Sequence, residues 1–116
     1  MKRTGPTDIN LRKLITLLSR QKSAFWKRIA KDLNRPRRIR RVVNISRINM
    51  YANDGETVIV PGKVLGAGEL TKKLTIAAWS FSSQALDKIK QSGSKAVTIE
   101  QLLKKNKTGK GVRIIG

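Results

Sequence analysis

Apolar and polar positions recur along this chain with two different periods, and the points where the period changes mark the elements. Leu11, Leu14, Ile15 and Leu18 fall at i, i+3, i+4 and i+7, with Arg12, Lys13 and Arg20 off that stripe. This spacing predicts an amphipathic helix beginning at Thr7 or Asp8. Trp26, Ile29, Ala30 and Leu33 repeat the pattern, with Ser23 placed to cap a second helix and Asn34 and Pro36 placed to stop it. Its position on the apolar stripe favours core packing for Trp26; a base-stacking platform is the alternative use of such an indole.

The period shortens further on. Ile45, Ile48 and Tyr51 suit a short helical turn capped by Ser46, and Asn53-Asp54-Gly55 makes a turn. Residues 57–60 are β-branched, Pro61-Gly62 reads as a turn, residues 63–65 as a second short strand, and Gly66-Ala67-Gly68 as a tight irregular loop. Residues 74–81 are almost continuously apolar, which predicts a strand buried on both faces. Ser82 or Ser83 then starts a helix with Ala85, Leu86 and Ile89 inward, ended by Ser92-Gly93. Ala96 and Val97 give another extended segment. Thr98 and Gln101 form a capping box for a last helix, which carries Leu102 and Leu103 and closes at Asn106. Strand and helix alternate, so the expected class is α/β, with two helices in front of the scaffold.

Between those helices and the scaffold the pattern breaks. Residues 34–49 contain Arg35, Arg37, Arg38, Arg40 and Arg41, five arginines within seven positions that no folded core could hold. Pro36 removes a backbone donor and biases Arg35 away from helix, so the run is expected to leave as a basic extended strap. Each guanidinium keeps its charge near neutral pH and offers five donors in a planar fork, which suits phosphate oxygens and base faces. A solvated charge run is the alternative reading.

Composition sharpens this. The 116 residues hold 26 Lys plus Arg against 7 Asp plus Glu, a net charge of +19, which is more than solubility requires and implies an anionic partner. Residues 1–50 carry 15 basic and 2 acidic groups, residues 51–100 carry 6 and 5, and residues 101–116 carry 5 and none. A nearly neutral middle between basic ends suggests one globular domain with attachments. Its expected parts are basic N-terminal helices and strap (1–56), a compact scaffold (57–106) and a basic, glycine-rich tail (107–116). Lys2 and Arg3 lie in a short N-terminal tail expected to order only on a partner. Lys107, Lys110 and Arg113 are interleaved with glycines, and Ile114 and Ile115 predict that the end folds back onto the core.

The same inventory excludes other classes. With no cysteine there is neither disulfide nor thiolate site, and with no histidine the commonest general base and metal ligand is missing. Seven carboxylates at caps, turns and exposed helix positions do not suggest catalysis, so no enzyme and no cofactor are expected. Gly62-Lys63 is followed by Val64 and position 57 is not glycine, which fails the phosphate-loop motif; Gly66-x-Gly68 is followed by Thr71, which fails the dinucleotide fingerprint. Lys63, beside these glycines, either reaches a phosphate or faces solvent. No run is long enough to span a membrane and no secretory leader is evident, so a soluble intracellular chain is expected.

Val-Ile-Val-Pro-Gly-Lys-Val-Leu-Gly-Ala-Gly-Glu-Leu at 58–70, followed by Thr-Ile-Ala-Ala-Trp-Ser-Phe-Ser at 75–82, closely resembles the archaeal and eukaryotic ribosomal protein family numbered eighteen of the large subunit. The likeness extends to Arg-Pro-Arg-Arg at 35–38, Val-Asn-Ile-Ser-Arg-Ile-Asn at 43–49 and Gly-Lys-Gly-Val-Arg-Ile-Ile-Gly at 109–116. The compact length resembles archaeal members. The resemblance implies a fold of irregular strand-strand-helix turns shared with the bacterial large-subunit protein fifteen, and a structural role in the cytoplasmic large ribosomal subunit. It implies rRNA as ligand and neighbouring ribosomal proteins as partners, with no membrane, small-molecule substrate or homo-oligomer. By matching motif, Arg35, Arg37, Arg38, Arg40 and Arg41 are the expected RNA contacts. Arg47, Lys63, Lys2, Arg3, Lys107, Lys110 and Arg113 are further candidates. A chromatin-type protein that binds DNA without sequence preference is the alternative from another class.

Overall fold

The computed structural model describes residues 9–34 and 41–115, excluding the side chain of Arg41. The expectations for Lys2, Arg3, Arg35, Arg37, Arg38 and Arg40, and for the side chain of Arg41, therefore lie outside the described residues. In chain order the elements are α1 (Ile9–Ser19), α2 (Ala24–Leu33), β1 (Arg41–Asn44), α3 (Ile45–Tyr51), β2 (Thr57–Leu65), β3 (Thr75–Phe81), α4 (Ser83–Gln91), β4 (Lys95–Thr98), α5 (Ile99–Lys105) and β5 (Val112–Ile114). The class is α/β.

β2 is the spine of the sheet, and every strand pairing is parallel. β3 runs along one side of it, with β4 beyond. The other side is shared end to end: β5 pairs with Thr57, Val58 and Ile59, while β1 pairs with residues from Gly62 to Leu65. Two short strands and a turn were expected where this spine lies, and the turn is wrong. Pro61 and Gly62 sit inside one nine-residue strand. Between the pairs Val60–Ala78 and Lys63–Ser80, β2 advances three residues while β3 advances two. A proline has no N–H for the ladder, so a strand tolerates it where an extra residue goes unpaired.

Alternation along the strands builds two cores. Val58, Val60, Ile76 and Ala78 face α3 and α4 together with Val43, Val64, Ile45, Ile48, Ala85 and Ile89. Ile59 and Ala77, one residue out of phase, face α1, α2 and α5 and pack with Leu11, Leu18, Trp26, Ile29, Leu33, Ile99 and Leu102. The sheet is thus covered on both faces, as all-parallel sheets require. Each fully buried Leu or Ile contributes about 1.5–3 kcal/mol against exposure.

Local signals set most helix ends. The Ser23 hydroxyl accepts from Phe25 N, the Ser82 hydroxyl accepts from Ala85 N, and Thr98 with Gln101 forms the reciprocal capping box. Two expectations fail. Ser46 does not cap α3; Asn44 holds that position, and its side chain makes no capping hydrogen bond. Leu86 is 45% exposed rather than inward, because α4 buries one narrow stripe that it misses. The short helix expected over Ile45, Ile48 and Tyr51 forms as α3, and residues 41–44 before it, at the end of the arginine run, form β1, since Val43, Ile45 and Ile48 have a core to enter.

Parallel neighbours usually need a helical crossover. β2 and β3 are joined instead by residues 66–74, which contain no helix. Hydrogen bonds from both flanking helices pin this loop. Ser46 N donates to Ala67 O, Asn49 Oδ1 accepts from Thr71 N and Oγ1, and Lys88 Nζ donates to Gly66 O and Gly68 O at 2.5 and 2.6 Å.

Candidate nucleic-acid interface

A cation serves an anionic ligand only if the fold does not already use it. Lys72 and Lys88 are used. Lys72 Nζ donates to Asn49 O and Ala52 O, both at 2.6 Å, closing the end of α3, while Lys88 clamps the 66–74 loop. Arg113 is partly used: its Nε lies 3.1 Å from Glu56 Oε1 and 3.3 Å from Oε2, tying β5 to the start of β2, yet its side chain stays 43% exposed. The Asn53 backbone N–H and the Arg113 guanidinium together hold the Glu56 carboxyl below its ordinary value.

Other candidates are open. Lys63 is exposed on β2, with Val42 as its cross-strand neighbour on β1 and Ser80 on β3. Val42, on the strand that follows the arginine run in the chain, is 59% exposed. Arg47, also exposed, has its guanidinium 5.3 Å from the centroid of the Tyr51 ring, a cation–π contact that leaves its edge available.

Lys107 and Lys110 lie on a built loop. Asn106 organises it: its Oδ1 accepts from Gly109 N and Thr108 Oγ1, and its Nδ2 donates to Lys110 O. The loop is fastened to α2, because Ser23 Oγ donates to Thr108 O at 2.8 Å and Trp26 Nε1 donates to Asn106 O at 3.0 Å. Gly109 has φ +74° and lies against the Phe25 ring, so a side chain there would be strained and would collide. Both lysines are exposed on this support.

Trp26 is fully buried, as its place on the stripe predicts, and meets Phe25 edge to face at 4.9 Å. Trp79 is neither buried nor free. It packs beside the α1–α2–α5 core and lines a groove of about 390 Å³ with Leu14, Leu17, Lys13, Thr98 and Glu100. Three of the carboxylates serve the fold. Asp54 Oδ1 accepts from Lys73 N, Glu56 holds Asn53 N and Arg113, and buried Asp32 lies 4.0 Å from Arg28 Nε. Among the described residues no cluster of acidic side chains could hold a metal ion.

The residue-by-residue reading missed the role of α2. Lys22 and Lys27 flank Ser23 by one residue and one turn, both are exposed, and the Ser23–Thr108 bond brings them beside Lys107 and Lys110. Their placement off the Trp26–Ile29–Leu33 stripe is visible in the sequence, but their neighbours 80 residues away are not.

A family model described as ribosomal protein 60S L18 and 50S L18e matches residues 3–116. The large ribosomal subunit protein eL18 of Sulfurisphaera tokodaii is 47% identical over 113 residues, covering 97% of this chain and 96% of the relative. That of Nanoarchaeum equitans is 47% identical over 112 residues, with 95% and 92% covered, and that of Archaeoglobus fulgidus 43% over 116 residues, with 99% of each covered. These are ribosomal proteins rather than enzymes, and by this near full-length agreement the chain belongs to the ribosomal protein family 60S L18 and 50S L18e.

Proposed function

We propose that this protein is a structural constituent of the large ribosomal subunit that holds folded rRNA by neutralising its phosphates with exposed arginine and lysine side chains. The observation that carries the reading is the division among the cations: Lys72 and Lys88 are spent on backbone carbonyls, whereas Lys63, Lys107 and Lys110 stand on ordered backbone with their charges facing outward. In this reading Arg35, Arg37, Arg38, Arg40 and Arg41 supply the principal phosphate contacts, and Lys2 and Arg3 add to them. Arg47 and Arg113, each already touching a neighbouring side chain, lie at the margin. The domain parts 1–56, 57–106 and 107–116 correspond to attachment, scaffold and attachment, and the irregular strand-strand-helix turns are those shared with the bacterial large-subunit protein fifteen. Neighbouring ribosomal proteins complete the surroundings.

The test combines cosedimentation with binding. The wild-type protein is expected to sediment with large ribosomal subunits and to prefer folded rRNA to duplex DNA, since RNA shape and 2′-hydroxyls are what proteins read. Replacing Arg37, Arg38, Arg40 and Arg41 by Ala should flatten the dependence of log affinity on log salt by about 3, at roughly 0.7–0.9 per lost contact, with the circular dichroism spectrum unchanged. Equal binding of any duplex DNA, or an unfolded quadruple variant, would contradict the reading.

A further inference from the structure

The two covered faces of the sheet differ in charge, and the difference does not follow the ends-against-middle division of the sequence. The layer over Ile59 and Ala77 is built from α1, α2 and α5 with the turns beside them. Its segments, 9–34 and 99–111, carry 11 basic and 2 acidic residues. One of those acids, Asp32, is buried. The layer over Val58, Val60, Ile76 and Ala78 is built from α3, α4 and the 66–74 loop. Its segments, 45–56, 66–74 and 83–94, carry 5 basic and 4 acidic residues, and two of those five, Lys72 and Lys88, are tied to backbone carbonyls.

From this we infer that RNA is bound by one face of the sheet, the α1–α2–α5 face, and that Lys22 and Lys27 of the α2 region belong to the binding surface together with Lys107 and Lys110. The inference rests on the rRNA-binding reading and specifies its geometry. Three further observations support it. The first turn of α2 contains no acidic residue, so nothing on the helix opposes an anion there. The Ser23–Thr108 and Trp26–Asn106 bonds hold the lysines of two distant segments on one rigid support, so their order is established before a ligand arrives. The alternation along β2 turns Lys63 away from the core that receives Val64, toward the α1–α2–α5 side. The arginine run also departs from α2, in that same layer. Among the described residues, the segments of the opposite face leave Arg47, Lys73 and Lys90 outside such backbone clamps, against Asp54, Glu56, Glu69 and Asp87. Helix layers are each about 10–12 Å thick, so one phosphate track cannot serve both faces without turning around an edge.

The test is a matched pair of charge reversals in the full-length protein. Lys27→Glu with Lys110→Glu alters the α1–α2–α5 face; Lys73→Glu with Lys90→Glu alters the other by the same net charge. All four residues are exposed. Affinity for a folded large-subunit rRNA transcript is measured by filter binding at fixed salt, with thermal melts to check folding and Lys→Gln versions of both pairs as a second, gentler series. The first pair should lose about 30-fold or more and the second less than about threefold. Equal losses would show that total charge alone governs binding and would overturn the one-face inference while leaving rRNA binding intact. No loss from either pair would overturn the role of Lys27 and Lys110. Salt-independent binding by the wild-type protein would remove the rRNA-binding reading itself, and the inference with it.

Discussion

At the scale of single residues, the constraints come from partners far away in the chain. Gly68 has φ +93°, and a methyl group there would collide with Ser46 Cβ and lie 3.0 Å from the Ser46 backbone. Gly68→Ala therefore combines backbone strain with a collision that no rotamer change relieves, and should lower stability by about 2–4 kcal/mol in denaturant titrations; a change within about 0.5 kcal/mol would contradict the packing described. The glycine is legible as a turn residue, but not the reason it tolerates no substitution, since Ser46 is 22 positions away. Glu56 gives a pH-dependent test. Its carboxyl is held below the ordinary value by the Asn53 N–H and by Arg113. A group with a depressed folded-state pKa contributes stability above its unfolded value, near 4.5, and loses it as pH falls through the folded value. Wild type should therefore exceed Glu56→Gln in stability at pH 6–7, and that advantage should disappear on acidification below about 4.5; an advantage that grows with acid would reverse the assignment.

At the scale of elements, most of what could be read locally was read correctly, the Ser46 cap being an exception. The caps at Ser23, Ser82 and Thr98 depend on residues within one turn, and all three form. The failures are elements whose conformation is imposed from outside. Pro61-Gly62 has turn chemistry, but β3 on one side and β1 and β5 on the other hold β2 extended through it, leaving a bulge. β1 could not be distinguished from the arginine run by composition, because what holds residues 41–44 in a strand is their pairing with residues 62–65, 21 positions further along the chain. The 66–74 loop, which replaces a crossover helix, is held by Ser46 and Asn49 of α3 and by two hydrogen bonds from Lys88 of α4. Lys88→Met should cost about 1.5–3 kcal/mol of unfolding free energy, whereas Lys63→Met, exposed on the spine, should change stability by less than about 0.5 kcal/mol and weaken RNA binding instead. Equal stability losses at both positions would dissolve the distinction between structural and ligand-facing lysines.

At the scale of the molecule, the charge of +19 was plain in the sequence and is what first suggests a polyanionic partner. Its distribution in space was not, since a lysine bonded to carbonyls and a lysine facing outward are the same letter. Counting by segment divides the chain into basic ends and a neutral middle; among the described residues folding sets a basic face against a nearly neutral one, because α1, α2 and α5 share a side of the sheet. The α/β class followed from alternating periods, and the family from motifs spanning most of the chain, later matched over residues 3–116. The central claim is that exposed cations on a folded scaffold hold rRNA through its phosphates. The affinity of the full-length protein for a folded large-subunit rRNA transcript, followed from low to high salt, tests it most directly. With about eight phosphates engaged, log affinity should fall against log salt with a slope of about −6 to −7. A slope near zero would contradict it.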